Sequence, residues 1–200
     1  MSMATTKHKR AKPANGALRL GLCCQFAVEP IKFRTTTATA MLRLHREERL
    51  ARLAELCRVN ADALLDSLKF CAAHGIGAFR INSQILPVKT HPTAGYKVGE
   101  LPGGAHIIAR FQKCGEFARA NDLRLSFHPD QFVVLNSPNP KTLAHSLAEL
   151  SYQAEVAEWV GADTVNIHGG GAYGDKVAAL RVLRENIERL PQPVRARLTL

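Results

Sequence analysis

The chain has 200 residues, one domain's worth, and its 46% hydrophobic content is enough for a packed core, which excludes a disordered polypeptide. Its formal charge of +10 is uneven: residues 1–19 hold Lys7, Lys9, Arg10, Lys12 and Arg19 with no acid, so half the excess lies in this arm. No apolar run approaches the roughly 20 residues that span a bilayer, and five cysteines without a CxxC pair exclude a disulfide scaffold. A cytoplasmic location is the expectation.

Residues 1–17 read as a basic flexible tail, and residues 18–200 as a single folded unit. Residues 18–24 form a first strand, followed by a polar loop carrying Lys32 and Arg34. A helix is predicted over about 39–56, and Asn60 is read as the cap of a second helix that Gly75 ends. Residues 76–81 make the second strand, in which Arg80 shares a face with Asn82, and 82–104 a long loop rich in Pro and Gly. A helix over 105–120 leads to a third strand at 123–127.

Asn139 and Pro140 open the next helix, with proline at the first position where its missing N–H costs nothing, and Gly161 closes it. A fourth strand occupies 164–167, and Asp175 caps a helix that runs to Leu190. Residues 195–200 begin a fifth strand. Alternation this regular implies a parallel sheet with helices outside, either a (β/α)8 TIM-barrel type or an open doubly wound sheet. A closed barrel needs about 250 residues and eight strands, so a barrel-type chain would be truncated after about the fifth strand. Such an arc is expected to leave an apolar sheet face and strand edges unpaired.

His128 and His168 each follow an apolar strand, one strand-plus-helix unit apart, at the rim where the chemistry of such folds collects. Alone, each is more often a hydrogen-bonded structural histidine than a ligand; their matched placement points to a shared divalent metal. Asp130 lies close to His128 but can equally serve its own turn. Gly169, Gly170 and Gly171 begin a G-x-G-x-x-G pattern that ends at Gly174. A dinucleotide fingerprint would require an acid at the end of the next strand, and none is present, nor does a G-x-S-x-G nucleophile accompany the His-Gly-Gly-Gly run. The simpler reading is a sharp bend whose amides a phosphate can approach. Gln131 and Phe132 form a polar–aromatic pair suited to entering a base stack, although burial of the Phe under its loop is the plainer expectation.

With these residues in view, the chain resembles the ultraviolet-damage endonuclease family. The resemblance is carried by Leu20-Gly21-Leu22-Cys23-Cys24, Pro30-Ile31-Lys32-Phe33-Arg34-Thr35-Thr36-Thr37 and Phe79-Arg80-Ile81-Asn82-Ser83, in family order. Leu86-Pro87, Ser126-Phe127-His128-Pro129-Asp130-Gln131-Phe132 and Asn166-Ile167-His168-Gly169-Gly170-Gly171 continue it. It implies a metal-dependent TIM barrel related in shape to endonuclease IV and xylose isomerase, nicking double-stranded DNA 5′ of ultraviolet photoproducts. By that resemblance His128 and His168 are metal ligands, His91 a further rim histidine, and Gln131 and Phe132 the pair that probes the damaged duplex. Lys32, Arg34 and Gly169–Gly171 would meet phosphate.

Two or three divalent ions, manganese foremost, are the implied cofactors, with no catalytic residue beyond the metal ligands. A monomer acting on the nucleoid is implied as well. The family's ligand glutamate after the fifth strand, and its later Asp, His and Glu ligands, have no counterpart here. The chain therefore reads as the N-terminal part of such an enzyme, incomplete and inactive by itself. The rival readings are a sugar isomerase or epimerase on a similar barrel, and an inactive DNA-binding fragment.

Overall fold

A computed structural model describes residues 18–200; the basic tail assigned to 1–17 lies outside the described residues. Five parallel strands are β1 (Gly21–Cys23), β2 (Ala78–Ile81), β3 (Arg124–Phe127), β4 (Thr164–Asn166) and β5 (Leu198–Thr199), in spatial order β1-β2-β3-β4-β5. The helices between them are α1 (Ala38–Leu42), α2 (Arg46–Ala73), α3 (Gly104–Ala120), α4 (Pro140–Val160), α5 (Lys176–Glu188) and α6 (Gln192–Arg195). A doubly wound sheet reverses its strand order at a switch point. Here every strand lies beside its successor, as in an arc of an α/β barrel, so the barrel-type expectation holds.

Local chemistry sets most element ends. The Asn139 side chain accepts the N–H of Lys141 at 2.9 Å, Pro140 takes the first turn of α4, and Gly161 leaves the helix at φ 69°. Asp175 caps α5 by accepting the Ala178 N–H at 3.0 Å. Both helices begin as their caps predict.

The first helical segment differs from expectation. One helix, α2, runs unbroken through Asn60, which is fully buried rather than a cap. Its amide oxygen accepts the Arg34 N–H at 2.7 Å, and its amide nitrogen donates to the carbonyls of Arg34 (2.9 Å) and Ile85 (2.8 Å). Asn60 thus ties the loop after β1 and the loop after β2 to one point on α2.

The core lies between the helices and one face of the sheet, where Phe79, Ile81, Leu125, Phe127, Val165 and Ile167 are buried. Cys57, Cys71 and Cys114 join it as small apolar groups; burial pushes their thiols up to about 11, 11 and 12. The opposite sheet face carries Cys23, Arg80, Ser126, Thr164, Asn166 and Thr199 in matched register. This corrects the expectation of an apolar unpaired face, because strand alternation puts polar groups on that side. Among the described residues no helix is long and apolar enough to cross a membrane.

Candidate metal and nucleic-acid site

His128 follows β3 directly, and His168 lies two residues beyond β4. The parallel register pairs Phe127 with Val165, so both imidazoles emerge at the same end of the sheet. Their ring centroids are 4.7 Å apart at an interplanar angle of 56°. His128 Nδ1 lies 2.8 Å from the carbonyl oxygen of Asn166. A carbonyl only accepts, so Nδ1 carries the hydrogen and Nε2 presents its lone pair. Backbone fixation of one nitrogen is the arrangement by which metal-ligating histidines are oriented. Asn166 is itself tied to β5, donating through Nδ2 to Thr199 Oγ1 at 3.1 Å.

Imidazole nitrogen is a donor type that divalent ions take, so the chemistry of this pair is compatible with a metal. Among the described residues no third His, Cys, Asp or Glu gathers with the pair. His91 is engaged differently. Its Nδ1 accepts the N–H groups of Thr93 (3.2 Å) and Ala94 (3.1 Å), so the neutral ring holds its hydrogen on Nε2 and offers a donor there. It lines a cleft of about 640 Å3 with Thr37, Thr90 and Glu149, which adjoins the cleft lined by His168 through the shared residues Phe132 and His145.

Asp130 stabilises its own turn: its side chain accepts the Phe132 N–H at 2.9 Å, and its carbonyl accepts that of Val133 at 2.9 Å. This turn sends Val133 and Leu135 into the core and leaves Phe132 69% exposed. Burial of Phe132 under its loop, the plainer expectation, does not occur because those two neighbours fill that space. Gln131 is exposed beside it. Together with Lys141, His168, Gly169 and Gly170 they line a cleft of about 830 Å3 on the histidine rim.

The glycine run is built for close approach. Gly170 sits at φ 77°, and a Cβ there would fall 1.8 Å from Asn136 Oδ1. Asn136 is buried and donates to the Gly171 carbonyl at 2.9 Å, pinning the loop that carries His168. Gly170→Ala is expected to cost about 3 kcal/mol, from the strained backbone and the displaced Asn136. Urea unfolding measures this, and an unchanged midpoint would show that Asn136 does not hold the loop.

Lys32 and Arg34 stand exposed on the loop after β1 and do not line the cleft. Arg34 is fixed through its backbone by Asn60. Sequence reasoning overlooked Asn136 altogether and misplaced Asn60. Nothing local marks the first, and the second mimics a cap.

The family described as UV-endonuclease UvdE matches residues 18–200. A UV DNA damage endonuclease of Bacillus thuringiensis subsp. konkukian is 32% identical over 84% of this chain and 52% of its own length. That of Bacillus velezensis is 32% identical over 88% of this chain and 54% of its own. The crystal structure of SacUVDE aligns with a TM-score of 0.79 at 26% identity, covering 92% of this chain and 60% of that one. The chain thus spans about half the length of the curated relatives it matches. Since the match runs through every described residue rather than through one motif, the chain belongs to the UV-endonuclease UvdE family.

Proposed function

We propose that the protein is a DNA-repair endonuclease that nicks double-stranded DNA 5′ of ultraviolet photoproducts by divalent-metal-dependent phosphodiester hydrolysis. The observation that carries this reading is an exposed Gln131–Phe132 pair on the rim of a cleft that also holds His168, in a chain of this family. An exposed aromatic and a planar amide on a stiff turn suit entry into a base stack, a role a small-molecule isomerase would not require.

In this reading His128 Nε2 and His168 hold the metal, manganese being the ion proposed. A divalent ion so held supplies Lewis-acid polarisation of the phosphodiester and a more acidic water. The remaining work falls to the chain's own groups. Phe132 separates stacked bases, Gln131 contacts the opened step, and Lys32 and Arg34 pair with phosphates flanking it. Gly169 and Gly170 are exposed and Gly171 is half-buried, and their backbone amides are the groups a phosphate oxygen would meet. The enzyme acts as a monomer on nucleoid DNA. Among the described residues two imidazoles are a partial ligand set, so the chain is expected to bind lesions while nicking poorly.

Fluorescence anisotropy with irradiated and unirradiated duplexes in Mn2+ tests the reading. The chain should prefer irradiated DNA, and Phe132→Ala should cut that preference about tenfold, the loss of one stacking contact. Equal affinity for the two duplexes would reject it.

A further inference from the structure

Tyr173 is held in a backbone conformation that aromatic residues seldom adopt. The Asp175 N–H bonds the Ala172 carbonyl at 3.0 Å, closing a tight turn with Tyr173 and Gly174 at its centre. Both central residues have positive φ, 49° and 88°, the pattern of a type I′ turn, where Asn or Gly is the ordinary occupant of the first position. A tyrosine there is strained. No core burial offsets the strain, because Tyr173 is 53% exposed. Its hydroxyl has no hydrogen-bond partner among the described residues.

The ring nevertheless has a made place. A Cβ at Gly171 would lie 3.0 Å from Tyr173 Cζ and 3.2 and 3.3 Å from the two Cε atoms, so the absence of a side chain at 171 is what lets the ring lie there. The Gly171 backbone beneath it is pinned by Asn136. The ring lines the same cleft as Phe132, Gln131 and His168. Phe132 and Tyr173 are thus two exposed aromatics in one cleft, the first on the loop after β3 and the second on the loop after β4.

We infer that Tyr173 is a stacking platform for a nucleobase: it receives, on its exposed ring, a base displaced from the duplex where Phe132 enters. Resting on the proposed DNA-binding function, this assigns to Tyr173 a positioning role in substrate binding. An aromatic face serves any base, so the contact adds affinity for an unpaired nucleotide without reading its identity.

Two variants separate this from a structural role. Tyr173→Phe keeps the ring; Tyr173→Gly removes it and relieves the strained backbone. The probe is a fluorescently labelled duplex with one unpaired thymine, titrated with the chain by anisotropy alongside thermal unfolding. Tyr173→Phe should bind within twofold of the parent. Tyr173→Gly should bind about tenfold more weakly, with an unfolding midpoint no lower than the parent's. A Tyr173→Gly protein that binds within twofold of the parent, or that unfolds at a clearly lower temperature, overturns the inference. If Phe132→Ala weakens binding and Tyr173→Gly does not, the DNA-binding reading stands and only the role of Tyr173 falls. If the parent binds no probe, both fall together.

Discussion

Replacing His128 by Ala should weaken Mn2+ binding at least a hundredfold, and His168→Ala should do the same, while His91→Ala should leave it unchanged. The asymmetry follows from hydrogen bonding. His128 commits Nδ1–H to the Asn166 carbonyl at 2.8 Å, leaving one lone pair at Nε2, on a ring 4.7 Å from that of His168. Neither imidazole can replace the other, and one imidazole alone holds a divalent ion weakly. Loss of an outer partner of a ligand commonly costs 10–100-fold in metal affinity, and loss of a ligand itself costs more. His91 is set apart because its Nδ1 already accepts two backbone N–H groups and, among the described residues, no third ligand gathers with the pair. Only about 1 kcal/mol of stability should be lost with the His128 hydrogen bond, so the variant stays folded and the measurement reports ligation. Titration calorimetry and the manganese electron-spin signal give the affinity without any dependence on nicking. Three variants binding alike would remove His128 and His168 from the metal site.

What could be read from the residues was whatever depends on near neighbours or on strict period. Asn139 and Asp175 cap their helices because a cap's partners lie two or three residues away. Phe79-Arg80-Ile81, Leu125-Ser126-Phe127 and Val165-Asn166-Ile167 alternate, and that alternation already states that the face away from the helices is polar. An apolar face is the general expectation for the open edge of a truncated sheet, and these triplets contradict it residue by residue. Phe132 was harder. Its exposure depends on which of three apolar neighbours the Asp130 turn directs inward, a matter of one residue's phase in an irregular loop. Asn136 could not be found at all, since its partner Gly171 lies 35 residues away and an isolated Asn in a loop is unremarkable. The histidine pair was legible because barrel geometry carries successive strand ends to one rim.

Asn60→Ala should cost about 3–5 kcal/mol, the largest effect on stability expected in this chain. The substitution deletes three hydrogen bonds and leaves the Arg34 N–H, the Arg34 carbonyl and the Ile85 carbonyl without partners in a partly or wholly buried setting. Each unsatisfied group costs roughly 1–3 kcal/mol, with water relieving part of it at the half-buried Arg34 contacts. Helix propensity pulls the other way, since Ala is favoured over Asn inside α2, but that gain is only about 0.7 kcal/mol. Asn60→Asp discriminates further. Its carboxylate still accepts from Arg34 N–H but faces two carbonyl oxygens that need a donor, so the folded protein favours the protonated acid. A folded-state pKa raised in this way gives stability that is present at low pH and lost as pH rises, so Asn60→Asp should be less destabilised at pH 4 than at pH 7. Urea unfolding at the two pH values measures both variants. Hydrogen exchange adds a local reading, with the Arg34 amide expected to lose most of its protection in Asn60→Ala. An Asn60→Ala protein within about 0.5 kcal/mol of the parent, with Arg34 still protected, would mean that the two loops are held by something other than this side chain.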